Sequence, residues 1–147
     1  MPTNENLEKK EVKEYFNGTG FDRWKRIYSQ SDDVNTVQKN IRVGHQKTVD
    51  DVIIWLKKYP NLDKLSFCDA GCGVGSLAIP MLQLGINKLQ VSDISSAMVN
   101  ETKLRIKSAG LKSNNVKFQT CDLENLVGNF DCVICLDVFI HYQQEIA

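Results

Sequence analysis

The stretch Leu65-Ser66-Phe67-Cys68-Asp69-Ala70-Gly71-Cys72-Gly73-Val74-Gly75-Ser76 decides the reading of this chain. An apolar run carries an acid near its end, then three glycines at alternate positions, then a segment of helix formers. Farther on, Val91-Ser92-Asp93 ends a second apolar run in another acid. A strand, a tight glycine turn, a helix and a second strand tipped by a carboxylate is how a doubly wound parallel sheet builds a nucleoside pocket.

Beyond Asp93 the same alternation continues. Strands are predicted at 65–69, 88–92, 116–120 and 131–136, with helices at 75–84 and 95–109. Gly85 and Gly110 fall where C′ glycines close helices, and Ser95 and Ser96 are placed to cap the second helix. Pro80 lies near the start of its helix, where its cost is reduced. Strands alternating with helices imply right-handed crossovers. The apolar run Cys132-Val133-Ile134-Cys135-Leu136 suits a strand covered on both faces. The fold class is therefore α/β, doubly wound and Rossmann-like. Four strands are fewer than such a domain normally has, and the last helical signal, from His141, is cut short at Ala147. The chain reads as a truncated form.

Before the sheet, residues 1–60 read as a helical arm or lid, and 61–147 as the partial nucleoside-binding core. Residues 1–10 look like a frayed polar start. A helix is expected from Glu11, with Val12, Tyr15 and Phe16 on one face. Asn17-Gly18-Thr19-Gly20 breaks it. Phe21, Trp24, Ile27 and Tyr28 then mark a short aromatic helix. A helical stretch from Asn35 to Val43 is expected to be interrupted or bent at Gly44. Another runs from His45 to Tyr59, with Val49, Val52, Ile53 and Leu56 as its stripe, and Pro60 stops it.

Composition narrows the classes. The 147 residues include 18 basic and 18 acidic side chains, for a formal net charge of zero. No electropositive excess points to nucleic acid. No apolar run approaches the roughly 20 residues of a membrane helix, and the first residues resemble neither a signal nor a transit peptide. The expectation is a soluble intracellular domain. Of the five cysteines, at 68, 72, 121, 132 and 135, most fall in or beside apolar runs, and they read as buried reduced thiols. Cys132 and Cys135 have C-x-x-C spacing, but on a strand that odd separation sends them to opposite faces, so no metal site is expected.

The glycine pattern selects the ligand. A dinucleotide fingerprint would need glycine at position 76, which is Ser76. Gly71, Gly73 and Gly75 instead let backbone approach an amino-acid moiety or a ribose closely, without room for a pyrophosphate. Asp69 at the head of the turn suits a cationic ligand. S-adenosylmethionine, with an ammonium and a sulfonium, fits better than a nicotinamide dinucleotide. Asp93, followed by Ile94, is placed to accept ribose hydroxyls. Asp122 and Leu123 can flank adenine, with Asp122 accepting from its amine. Leu136, before Asp137, ends the fourth strand beside the reacting centre. Asp-Val-Phe-Ile-His-Tyr at 137–142 lacks the proline motif of DNA amino-methyltransferases. His141 lies where a substrate must sit and is assigned a substrate role. Its plain alternative is a capping or half-buried histidine. His45 lacks such placement and is read as structural. The aromatic helix is either core or a flap over a flat apolar substrate.

Four segments resemble the magnesium-protoporphyrin IX methyltransferases of chlorophyll synthesis, which are class I S-adenosylmethionine-dependent enzymes. They are Glu14 to Tyr28, Ile41 to Val49, Cys68 to Ala78 and Asp137 to Tyr142. The resemblance implies methylation of one propionate of magnesium protoporphyrin IX, with Tyr28 and His141 at catalytic positions and the N-terminal helices as a mobile arm. It also implies contact with the large porphyrin-carrying subunit of magnesium chelatase and peripheral association with thylakoid membranes. Other small-molecule methyltransferases, or an inactive cofactor-binding fragment, remain the alternatives.

Overall fold

The computed structural model describes residues 4–138. Three helices come first: α1 (Asn4–Asn17), α2 (Thr19–Ile27) and α3 (Thr36–Leu56). The sheet follows, as β1 (Ser66–Ala70), β2 (Lys88–Asp93), β3 (Val116–Thr120) and β4 (Cys132–Ile134), with α4 (Ala78–Gln83) and α5 (Ser96–Ser108) as crossovers. A single 3₁₀ turn, Leu123–Asn125, lies between β3 and β4. All pairings are parallel, in the order β3-β2-β1-β4. The chain leaves β1 in one direction for β2 and β3, then returns to its other side for β4. The carboxyl ends of β1 and β4 therefore flank the crevice where ligands of such sheets sit.

The predicted alternation and strand sites hold, with boundaries moved by a few residues. The capping expectations hold too. Ser95 caps α5 by accepting from the Met98 N–H. Gly85 and Gly110 follow the ends of α4 and α5 with φ of 102° and 69°. Three expectations are corrected. Helix α1 begins at Asn4 rather than Glu11. Its polar first turns gain a tertiary partner, because Lys9 pairs with Glu124 and Asp122 at the turn that follows β3. Gly44 does not interrupt α3, which runs for 21 residues from a complete Asn35–Gln38 capping box. A lone glycine costs a helix about 1 kcal/mol, and the burial of Val49 and Leu56 on the same helix outweighs it. Finally, β4 is not covered on both faces, since Val133 remains 52 % exposed.

The core lies between sheet and helices. Phe67, Leu89, Val91 and Ile134 from the strands pack with Leu77, Met81 and Val99, and α3 adds Val49 and Leu56 to the same cluster. Cys68 and Cys72 are buried and free, whereas Cys121, Cys132 and Cys135 are half-buried and free. Helix α1 packs on α2 and α5, and α2 on α3, and both line a cavity together with residues at the carboxyl ends of β1 and β2. No helix among the described residues is long and apolar enough to cross a membrane.

Candidate functional site

The glycine turn after β1 is folded by its neighbours. The N–H groups of Gly71 and Cys72 both donate to the Ser92 carbonyl on β2, each at 2.8 Å. The Gly73 N–H donates to Asp93 Oδ2 at 3.0 Å, and the Thr102 hydroxyl donates to the Gly73 carbonyl at 2.8 Å. Two of the glycines are required by space. At Gly71 (φ 80°) a Cβ would lie 2.1 Å from Val138 Cγ2, on the segment after β4. At Gly75 (φ 89°) it would lie 3.0 Å from Thr102 Cγ2 on α5. The turn therefore admits both the β4 return and the close approach of α5.

A cavity of about 440 Å³ opens beside this turn. The core contributes Asp69, Gly71, Gly73, Asp93, Ile94, Leu123 and Leu136 to its wall, and the N-terminal helices contribute Tyr28 with Val12, Phe16 and Trp24. The structure thus brings together most of the residues singled out from sequence. Asp122 and Gly75 stand just behind the wall. Asp122 Oδ1 accepts from the Asn125 backbone N–H at 3.0 Å, capping the 3₁₀ turn that carries Leu123. His141 lies outside the described residues.

Asp69 is 2 % exposed, and its Oδ2 has no hydrogen-bond partner. Burial, and then the charge of Asp93, push its carboxyl up to about 7. Asp93 is also raised by burial, against hydrogen bonds from the Ser95 and Gly73 backbones. Its Oδ1 accepts from the Ser95 N–H at 2.9 Å, so this carboxylate joins the two strand tips while still facing the cavity. A buried carboxylate oxygen without a donor is costly, and a cationic group in the cavity would supply what Asp69 lacks. The thiols are poor nucleophiles here. Burial raises Cys72 well above its ordinary value, and burial raises Cys121 as well, so neither is a thiolate near neutral pH.

His45, read from sequence as structural, lines the cavity. Its ring stacks on Tyr28, with centroids 4.1 Å apart and planes at 22°. Its Nδ1 lies 3.1 Å from Asp137 Oδ2. Tyr28 in turn contacts Trp24, centroid to centroid at 5.4 Å. Burial, followed by the Asp137 charge, pushes the Tyr28 phenol up to about 12, so it stays a neutral hydroxyl. The only sequence signal for His45 was its position in the segment 41–49, one of the four that carry the family resemblance.

Residues 67–147 match the family described as "Methyltransferase domain". The chain is 54% identical over 136 residues to "Magnesium-protoporphyrin O-methyltransferase" of Synechocystis PCC 6803, covering 92% of this chain and 58% of that protein. It is 48% identical over 140 residues to "Magnesium protoporphyrin IX methyltransferase, chloroplastic" of Arabidopsis thaliana, covering 95% of this chain and 45% of that one. The chain therefore spans about half the length of these relatives. Among solved structures, magnesium protoporphyrin IX methyltransferase from Synechocystis PCC 6803 with bound SAM superposes with a TM-score of 0.88 at 52% identity, covering 95% of this chain and 66% of that one.

Proposed function

Because the chain belongs to the methyltransferase-domain family, we propose that it binds S-adenosylmethionine in the cavity beside the glycine turn and methylates a propionate carboxylate of magnesium protoporphyrin IX, giving the monomethyl ester. The observation that carries this reading is the 54% identity over 136 residues to a magnesium-protoporphyrin O-methyltransferase. That identity spans the N-terminal helices as well as the core, so it includes both walls of the cavity.

The residues support it chemically. Asp69 receives the ligand's ammonium, directly or through water, on its unpartnered Oδ2. Asp93 accepts from the ribose, with Gly71 and Gly73 giving the backbone room. Ile94 and Leu123 pack on the adenine, Leu136 lies beside the reacting centre, and Asp122 fixes the turn that presents Leu123. When bound, S-adenosylmethionine supplies a sulfonium methyl, whose bond to sulfur breaks as its bond to the carboxylate oxygen forms. A propionate has a pKa of about 4–5 by analogy with Glu, so it arrives as the nucleophile and needs no base. The protein's work is to desolvate it and hold it in line. Tyr28, a neutral donor, and His141 orient that carboxylate. Trp24 and Phe16 face the flat ring. Contact with the large subunit of magnesium chelatase, and loose association with photosynthetic membranes, complete the reading.

The test is transfer of labelled methyl to magnesium protoporphyrin. It is run with this chain and with a chimera carrying the remaining sequence of the Synechocystis relative. Ester formation by the chimera, dependent on Tyr28, is expected. A chimera that binds S-adenosylmethionine yet esterifies no porphyrin overturns the substrate.

A further inference from the structure

We propose that His45 is the anion-recognising group of the substrate site, its Nε2–H donating to the carboxylate that is to be methylated. The inference rests on the carboxylate substrate named above and adds a residue that reading did not use.

Three observations converge on it. First, buried side-chain polar atoms lacking a partner are few in folded proteins. Among the described residues there are three, Trp24 Nε1, His45 Nε2 and Asp69 Oδ2. All three residues line the same cavity, so the unpartnered atoms cluster at one site rather than scatter through the fold. Asp69 is an acid and matches a cation; Trp24 Nε1–H is a donor, and His45 Nε2 is one when both ring nitrogens carry protons. Second, the described residues of the wall include three carboxylates, Asp69, Asp93 and Asp137, and no lysine or arginine. Bound S-adenosylmethionine offsets part of that negative charge, and His45 is the described side chain of the wall that can add a cationic donor from the protein. Third, the ring is held for that role. Asp137 Oδ2 sits 3.1 Å from Nδ1, so Asp137 accepts a hydrogen bond from Nδ1–H and the second ring nitrogen, Nε2, points away from Asp137. Stacking on Tyr28 at 4.1 Å fixes the plane. A ring set between two carboxylates, one from the protein and one from the substrate, donates to both. Asp137 is itself held in the left-handed region, with φ of 57°, a conformation a non-glycine residue adopts at some cost. That placement gives the acid at 137 a use that its position at the end of a strand does not.

The experiment compares binding of magnesium protoporphyrin with binding of its dimethyl ester, which has no free carboxylate, by fluorescence quenching in the presence of S-adenosylhomocysteine. Three proteins are compared, wild type, His45→Ala and Asp137→Asn. Asparagine tolerates the left-handed backbone, so Asp137→Asn removes the charge without disturbing the chain. Wild type is expected to prefer the free acid. His45→Ala should lose that preference, weakening acid binding by about 10- to 100-fold, the usual range for a charge-assisted hydrogen bond, and leaving ester binding within about threefold. Asp137→Asn should show a smaller loss in the same direction. Calorimetry with S-adenosylhomocysteine verifies that each variant retains its fold. If His45→Ala keeps the wild-type preference for the acid, the role of His45 is overturned while the porphyrin reading stands. If wild type binds neither porphyrin but binds S-adenosylhomocysteine, the substrate reading falls and takes this proposal with it. If His45→Ala no longer binds S-adenosylhomocysteine, His45→Gln is measured instead. The amide supplies a neutral donor, and full acid preference in that variant overturns the need for charge.

Discussion

The carboxyl of Asp69 is buried and feels the charge of Asp93, which together push it from its ordinary value of 3.8 up to about 7. The folded chain therefore holds this proton more tightly than the unfolded chain does. Between roughly pH 4 and pH 7 the folded state keeps a proton that the unfolded state has lost, so stability falls as pH rises through that window. Asp69→Asn keeps the shape and removes the buried charge. At pH 7.5 its ligand-free melting temperature should rise by about 3–6 °C, with a shallower decline between pH 4 and 7. Its affinity for S-adenosylmethionine should fall about tenfold or more. Thermal scans across pH, paired with calorimetry, check both. A variant that melts lower at pH 7.5 and binds the ligand normally would show that Asp69 is a structural acid. This residue was legible in sequence because an acid before a glycine turn has few other uses. The link between Asp93 and the Gly73 N–H was not, because it depends on the register of β1 against β2. His45 was hidden for the same kind of reason. Its partner Asp137 is 92 residues away, and nothing in the sequence around position 45 announces that meeting.

At the scale of elements, the end of α2 shows how the aromatic wall is held. The last carbonyls of a helix lack intrahelical donors, and two guanidiniums supply them here. Arg42 on α3 donates its Nε to the Ile27 carbonyl at 2.5 Å, and its Nη2 to the carbonyls of Arg26 at 3.2 Å and Ser31 at 2.9 Å. Arg105 on α5 donates to the Tyr28 carbonyl at 2.9 Å while its Nε rests on Glu101. Positive charge at a helix C-terminus is also favourable to the dipole. Tyr28 is thus anchored from two helices at once. Arg105→Met keeps the aliphatic stem and removes the donors. It should cost about 1–3 kcal/mol, the range for hydrogen bonds to charged groups, in urea denaturation with an unchanged slope. A loss below about 0.5 kcal/mol would mean that Arg42 alone holds the helix end. The aromatic helix itself was readable from its 3–4 spacing. Its clamps were not, since nothing in the sequence around Arg42 or Arg105 points to the helix terminus at which the tertiary fold brings them together. Gly44 misled in the opposite sense. A local breaker weighs little in a helix whose cap and buried stripe are both sound.

In the molecule as a whole, one cavity is shared by two walls that meet through few but specific contacts. The sheet side carries the glycine turn and the strand-tip acids. The other side is α1, α2 and the middle of α3. Asn17 at the end of α1 joins them, its Oδ1 accepting from the Ala97 N–H at 3.1 Å and lying 2.6 Å from the Ser95 hydroxyl at the start of α5. Lys9 reaches Asp122 and Glu124, and Lys25 reaches Glu101. Most of these contacts are polar and partly exposed, which makes α1 and α2 easier to detach than β1 or β2, whose residues are almost all buried. Segments of that kind open locally at a fraction of the global unfolding free energy. A ligand that fills the cavity touches both walls and binds only the closed arrangement, so it should suppress the opening by mass action. Amide exchange across residues 12–28 should therefore slow about tenfold or more when S-adenosylhomocysteine saturates the site. Exchange in β1 and β2, which open only with the whole chain, should change by no more than the gain in global stability. Because ion pairs carry part of the junction, raising salt should speed exchange in 12–28 of the free protein. Exchange in 12–28 that is indifferent to both ligand and salt would mean that the two walls do not close on one ligand. The cavity would then be a cofactor cleft bounded by the sheet alone.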